Sequence, residues 1–370
     1  MRIAYDHQVF AQQRFGGISR YFVELAANLI ATGEHDVRVV APFYQNEYLA
    51  DPRIAHCVNG MYLRRNRLLS LRRALRWGNR VALPWAWRDP QPDILHETYY
   101  SLRVYGRTRA RVLTVHDMIH ELYPQALAQT AALSAAKRAA VARADHVICN
   151  SECTRRDLLR LFAVPESRTS VVYLGQSLSA AADTDAPAAQ LPGDPRPFLL
   201  YVGDREAYKN FAGFMQAFAS SSRLREEFRV VAFGGRALSQ AEQRLLSGLA
   251  IAQQVTQVSG SDELLASHYR AARLFVCPSR YEGFGLPPLE AMAYGCPVAC
   301  SHGGSLPEVV GDAGELFDPD DTDSMVLALE RAAYDETRRS ELIGRGRLRA
   351  TQFTWARCAA QTLQVYRTLT

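Results

Sequence analysis

Lysine is almost missing from this chain. Among 43 basic residues in 370, only Lys137 and Lys209 are lysines; the rest are arginine. In such a background a lysine can mark a place that needs a compact point charge. Lys209, just after a strand-like run, fits that description. Lys137, inside an alanine-rich helical stretch, reads as a residue that escaped the compositional drift. No apolar run reaches the roughly 18–20 residues of a membrane-spanning helix. The opening Met1-Arg2-Ile3-Ala4-Tyr5-Asp6 goes straight into a strand pattern and lacks the features of a signal peptide. The seven cysteines show no metal-type spacing, and Cys149/Cys153 and Cys296/Cys300 are isolated pairs, so reduced thiols and a cytoplasmic location are expected. No Asp-x-Asp pair falls where it suggests a metal site, and no metal is expected. The glycine spacing of a dinucleotide fingerprint is lacking, which counts against a nicotinamide oxidoreductase. The net charge of +5 is mild, and no nucleic-acid recognition motif accompanies it.

What is present is an alternation of short apolar runs with helical patterns, the mark of an α/β chain. The length suits two domains. Residues 2–6, 37–41, 93–96 and 111–115 read as strands. Residues 176–197 are rich in Ala, Ser, Asp and Pro and fit a linker, after which residues 198–202 restart the pattern. Helical patterns follow near 321–333 and 335–349, and another closes the chain through Tyr366. The basic stretch 63–80 carries Arg64, Arg65, Arg67, Arg72, Arg73, Arg76 and Arg80 among Leu68, Leu69, Leu71, Leu75 and Trp77. It reads either as a helix on an anionic membrane surface or as a solvated helix packing its leucines inward.

The densest stretch is 274–295. Leu274–Cys277 reads as a buried strand, Pro287 and Pro288 suit the first turn of a helix, and Gly295 suits its stop. The free N–H groups of such a first turn point into the preceding loop and can bind an anion. Glu282 in the loop and Glu290 in the helix can accept hydrogen bonds from ribose and hexose hydroxyls. A plain strand-to-helix turn with two solvated acids has the same outline. Gly16-Gly17 precedes a helix with Phe22, Leu25, Ala26 and Leu29 at helical spacing. The two glycines either let a phosphate approach the backbone or make a tight turn. His116 ends the strand 111–115, at the edge where parallel sheets bind ligands; a purely structural histidine is the alternative. Arg205 and Lys209, four apart, can neutralise a diphosphate or stand as two solvated bases.

Tyr281-Glu282-Gly283-Phe284-Gly285-Leu286-Pro287-Pro288-Leu289-Glu290-Ala291-Met292-Ala293 resembles the signature of the retaining glycosyltransferases of family 4. Cys296-Pro297-Val298 and Gly303-Gly304-Ser305-Leu306-Pro307-Glu308-Val309 extend the resemblance. Tyr208-Lys209-Asn210 is similar to a subset dominated by enzymes of bacterial surface polysaccharides, many of which use GDP-mannose or related sugars. The resemblance covers nearly the whole chain and is densest over 203–316. It implies the GT-B fold: two Rossmann-like parallel-sheet domains facing across a cleft. Residues 1–175 would form the acceptor side, 198–352 the nucleotide-sugar domain, and 353–370 a helix crossing back. It further implies metal-independent transfer of a hexose, with retention, from a nucleotide diphosphate donor to a saccharide or lipid-linked saccharide in cell-surface polysaccharide synthesis, with no cofactor. On this resemblance His116, Arg205, Lys209 and Glu282 carry catalysis. Gly16, Gly17, Gly203, Gly234, Val258, Gly283, Phe284, Gly285, Leu286 and Glu290 join Arg205, Lys209 and Glu282 in holding the donor. A nucleotide-sugar epimerase of the same fold, or a non-catalytic sugar-nucleotide-binding subunit of an assembly complex, are the readings left open.

Overall fold

The computed structural model describes residues 1–64, 71–87, 91–125, 130–176 and 195–370, without the side chains of residues 71–74 and 76. Most of the expected linker lies outside the described residues. So do Arg65, Arg67, Leu68 and Leu69 of the basic stretch, and the side chains of Leu71, Arg72, Arg73 and Arg76.

The chain divides into two compact units. The first comprises Met1–Pro124, Ala128–Gly175 and Trp355–Thr370, the second chiefly Gln176–Thr354. Among the described residues the first unit has seven parallel strands in the order β3-β2-β1-β4-β5-β6-β7. These are β1 Arg2–Tyr5, β2 Asp36–Tyr44, β3 Val58–Tyr62, β4 Ile94–Glu97, β5 Ala110–Val115, β6 His146–Cys149 and β7 Thr169–Val171. The second has six, in the order β10-β9-β8-β11-β12-β13. They are β8 Phe198–Val202, β9 Arg229–Phe233, β10 Val255–Val258, β11 Leu274–Cys277, β12 Val298–Ser301 and β13 Gly314–Phe317. Helical crossovers cover both faces of such sheets, so their central strands are buried throughout rather than on alternate residues; every residue of β5 and β11 is buried, Arg111 and Thr114 of β5 included. Each sheet reverses its direction of growth once, between β1 and β4 and between β8 and β11. The loops leaving the carboxyl ends of two such strands diverge, and open sheets bind ligands there. No helix among the described residues is long and apolar enough to cross a membrane.

Two polar networks brace the first unit. Glu97, fully buried at the end of β4, accepts from Arg111 of β5 at 2.6 Å and from both arms of Arg143 at 3.0 and 2.6 Å. The guanidinium groups also hold the carbonyls of Ser101, Tyr105 and Gly106, pinning the β4–β5 loop. The second network docks the C-terminal helix Trp355–Leu369. Its Tyr366 hydroxyl meets His96 Nδ1 at 2.6 Å, His96 Nε2 meets Thr114 Oγ1 at 2.8 Å, and Thr114 meets the Tyr21 hydroxyl at 3.1 Å. Burial, with a smaller push from His116, holds the His96 pKa down at about 3.

That depression makes the fold acid-sensitive. Below the ordinary histidine pKa the unfolded chain takes a proton that folded His96 refuses, so stability present above pH 6.5 is lost as pH falls. At pH 4 His96 alone accounts for roughly 3 kcal/mol. Thermal unfolding scanned from pH 7 to 4 reads this slope. His96→Gln keeps a donor and an acceptor but cannot titrate, and should flatten it. Equal slopes in the two proteins would clear His96 of the effect.

Candidate active site

The loops after β8 and β11 flank the crevice at the reversal of the second sheet and touch across it. The Arg280 N–H donates to the Tyr208 carbonyl at 2.8 Å. Lys209 Nζ donates to Glu282 at 2.6 and 2.9 Å, and Ser279 Oγ donates to the same carboxylate at 2.6 Å. Both partners are mostly covered, with side chains 21% and 14% exposed. Burial works against the Lys209 charge, but the Glu282 carboxylate outweighs it and holds the ammonium above its ordinary pKa.

Local structure explains the placement. Asn210 takes the left-handed conformation, φ 55°, which asparagine tolerates, and its amide donates to the Pro319 carbonyl at 2.7 Å. On the other side Gly304, φ 61°, lets residues 303–305 close on the Glu282 loop. A Cβ there would stand 2.5 Å from the Glu282 carbonyl oxygen. The Ser305 N–H donates to that carbonyl at 3.1 Å. Ser305 Oγ lies 2.9 Å from it and 2.7 Å from the Phe284 carbonyl, and the Ser301 hydroxyl donates to the Ser279 carbonyl. Ser279, Ser301 and Ser305 were not among the expected site residues; only the small-residue run 303–305 signalled them.

Arg205 is placed differently. Its Nε meets Glu242 at 2.6 Å, its other nitrogens donate to the carbonyls of Gly234 and Arg236, and its side chain is 5% exposed. The two cations thus hold different carboxylates. Gly203, Gly234 and Val258 stand together at the strand ends, the Gly203 N–H donating to Phe233 at 2.9 Å and the Gly234 N–H to Val258 at 2.8 Å. Gly283 and Phe284 follow Glu282, and Gly285, φ 109°, precedes the helix Leu286–Ala293. Within that helix Glu290 is buried and accepts from the Tyr269 hydroxyl at 3.2 Å. A separate cavity of 360 Å³ behind the β8 loop is lined by Arg205, Asn210, Glu242, Arg280 and Asp320, and by neither Lys209 nor Glu282. Among the described residues no three His, Cys, Asp or Glu side chains gather as metal ligands would.

Gly16, Gly17 and His116 belong to the first unit. Gly16 has an extended backbone, and the Gln13 amide lies against it: Oε1 would stand 2.3 Å from a Cβ, so a larger residue would displace that side chain. That oxygen accepts the Ser19 N–H at 3.3 Å in the first turn of the helix Gly17–Ala31. His116 is buried just past β5. Its N–H donates to the Tyr100 hydroxyl at 3.3 Å, Tyr21 meets its ring edge-on, and Nε2 has no hydrogen-bond partner among the described residues. Burial lowers its pKa to about 4, with Asp117 pulling up and Lys137 pushing down. The reading of Lys137 as compositional drift is overturned. Its side chain is fully buried and paired with Glu121 at 2.7 Å, because an ammonium taken out of water must find such partners.

Residues 15–179 match the family model Glycosyltransferase Family 4, and residues 183–349 match Glycosyl transferases group 1. The O-antigen chain mannosyltransferase B of Escherichia coli is 31% identical over 95% of this chain and 96% of its own. The chain belongs to glycosyltransferase family 4. A D-inositol 3-phosphate glycosyltransferase of Thermomonospora curvata is 28% identical over 95% of this chain and 90% of its own. Sucrose-phosphate synthase from Thermosynechococcus elongatus superposes on 100% of this chain and 99% of its own, with a TM-score of 0.73 at 23% identity, a likeness of fold. This family 4 glycosyltransferase therefore has the GT-B architecture that its sequence implied, two Rossmann-like parallel-sheet units. Its signature loop is the one that carries Glu282 to Lys209.

Proposed function

We propose that this glycosyltransferase moves a hexose, mannose from GDP-mannose being the leading candidate, to a saccharide or lipid-linked saccharide in cell-surface polysaccharide synthesis. Transfer keeps the anomeric configuration and uses no metal ion. The observation that carries the reading is the Lys209–Glu282 pair at the reversal of the second sheet. It offers a point charge for a departing diphosphate beside a carboxylate for hexose hydroxyls. The similarity to a mannosyltransferase of O-antigen chains supports the sugar and the product class.

In this reading Lys209 and the backbone N–H groups of Gly285 and Leu286, at the start of a helix whose Pro287 and Pro288 carry none, stabilise the leaving diphosphate. Arg205 adds to them on exchanging Glu242 for phosphate. Glu290 takes the ribose hydroxyls, and backbone near Gly203, Gly234 and Val258 meets the base. Glu282 holds the hexose and lends negative potential to the oxocarbenium-like centre. His116, neutral at physiological pH, offers Nε2 to a hydroxyl of the sugar or its acceptor. The acceptor attacks the face that the diphosphate leaves, its proton passing to a phosphate oxygen, so no protein carboxylate acts as nucleophile.

The test is a thermal-shift panel of GDP-mannose, UDP-glucose, UDP-N-acetylglucosamine and dTDP-rhamnose, followed by transfer assays in chelator with the product anomer read by NMR. A ligand at 100 times its Kd adds about 2.7 kcal/mol, a shift of several degrees. No shift with any sugar nucleotide overturns the donor assignment. Donor turnover without acceptor points to an epimerase instead. An inverted product, or activity that only a divalent metal restores, removes that part of the proposal.

The reading extends to a lipid-linked acceptor at the cytoplasmic face of a membrane. On the helix Leu71–Ala86, Leu75, Asn79 and Leu83 are buried, while Trp77, Val81 and Trp85 stand 73%, 56% and 64% exposed, with Arg80 beside them. Two exposed tryptophans eight residues apart, with an exposed valine midway and a basic neighbour, suit an anionic headgroup layer. Co-sedimentation with phosphatidylglycerol vesicles should fall about tenfold in Trp77→Ser/Trp85→Ser. Unchanged binding would leave a solvated helix.

A further inference from the structure

Lys137 takes no part in the transfer chemistry above, yet it is buried where a charge is costly. The helix Thr130–Arg143 that carries it is half alanine, and the Lys137 side chain is 0% exposed. Burying an ammonium is tolerated only with close, complete partnering. Its partners are informative. Nζ donates to the Asp117 carbonyl at 2.9 Å and to Glu121 Oε2 at 2.7 Å, and lies 3.8 Å from Asp117 Oδ1. It also stands 5.4 Å from the centre of the Tyr100 ring.

Asp117 and Tyr100 border His116 directly, and Glu121 follows on the same segment. Asp117 is the next residue, and its carboxylate accepts the Ile119 N–H at 3.1 Å, starting the short helix Ile119–Leu122 that holds Glu121. The Tyr100 hydroxyl accepts the N–H of His116 itself. Tyr21 and Phe22 close the imidazole in from the helix Gly17–Ala31, at ring distances of 5.5 and 6.3 Å. What this packing leaves unpaired is His116 Nε2.

We infer that Lys137 is a positioning residue for His116: its ammonium, set between the Asp117 carbonyl, Glu121 and the Tyr100 ring, fixes residues 116–121 so that the imidazole presents Nε2 to the sugar or its acceptor. This rests on the proposed role of His116. A compact ammonium meets the Asp117 carbonyl and Glu121 Oε2 as a point charge, a reason for a lysine in a chain that otherwise uses arginine. The charge has a second effect. The titratable groups facing His116 are Asp117 on its own loop, Lys137, His96 of β4, Tyr100 and Tyr21. Of these Lys137 supplies the positive charge that opposes protonation of the imidazole.

The test compares Lys137→Met/Glu121→Gln, which leaves no unpaired carboxylate, with Glu121→Gln alone. Loss of orientation at a reacting group costs up to about a hundredfold. The expected result is a roughly ten- to hundredfold fall in kcat with donor KM within about twofold. Added to His116→Ala, the same substitutions should cause little further loss. A full kcat, or the same fold-loss with and without His116, overturns the inference. NMR of the His116 imidazole gives a reading independent of turnover: its titration midpoint should rise in the double variant. If the wild-type protein transfers no sugar, the functional proposal fails by itself. The positioning claim is then decided by that signal, and an unchanged His116 titration overturns it.

Discussion

Lys209→Ala should lower kcat for transfer by about 10²- to 10³-fold, the effect of losing one preorganised donor to a developing anion. The reason lies in the charge balance. A departing diphosphate needs positive charge that stays in place through the transition state, and Lys209 is held by a carboxylate that the sugar can claim instead. The fold should survive, since Glu282 keeps its bond to Ser279 and some solvent contact. Circular dichroism and a thermal midpoint near the wild type are therefore the controls. Lys209→Arg should recover only part of the rate, because a planar fork cannot replace a point charge at 2.6 Å from the carboxylate. Near-wild-type turnover of Lys209→Ala would take Lys209 out of the reaction.

The largest loss of stability is expected at Glu97. Glu97→Ala leaves Arg111 and Arg143, whose side chains are 10% and 15% exposed, without their shared carboxylate. Breaking a buried ion pair from one side costs about 3–5 kcal/mol, because the surviving charges stay desolvated. For a unit of this size that is a drop on the order of 10 °C in midpoint. The β4–β5 loop, held through the carbonyls of Ser101, Tyr105 and Gly106, should become susceptible to protease first. Glu97→Gln, which keeps an acceptor, should cost less. A loss below about 1 kcal/mol in Glu97→Ala would mean that the guanidinium groups reach water when the carboxylate goes.

The elements that were legible are those decided by their own residues, whereas the exposed edge strand Val58–Tyr62 carries no such signal. The apolar run Leu274–Cys277 can only be an inner strand, and the prolines after it start a helix without breaking one. The signature likewise marked Glu282, and the scarcity of lysine together with the Tyr208-Lys209-Asn210 run marked Lys209. What it left unread are pairings between distant residues. Arg205 is tied to Glu242, 37 residues away, and the spacing of Arg205 and Lys209 carries no hint that they hold separate carboxylates. Lys137 was misread for a similar reason. Its helix has little amphipathic pattern, so burial at that position depends on Asp117 and Glu121, which precede it on another segment. The serines that brace the Glu282 loop are small polar residues of the kind any surface turn contains. Only closure of the sheet gives them their partners.

The Lys209–Glu282 contact also bears on how a catalytic cycle would end. A diphosphate that takes Lys209 performs an ion exchange, evicting a carboxylate that remains anchored three residues from Ser279. The evicted group then has hexose hydroxyls to hold, so the exchange is compensated only when the sugar is attached. After transfer the nucleoside diphosphate keeps the lysine while Glu282 loses the hexose, and the tethered carboxylate competes at high effective concentration to reclaim its cation. Under the proposed function, such a site would shed its spent carrier by recapturing its own counter-ion and would bind the loaded nucleotide more tightly than the bare one; competition binding of sugar nucleotide against nucleoside diphosphate reads the difference.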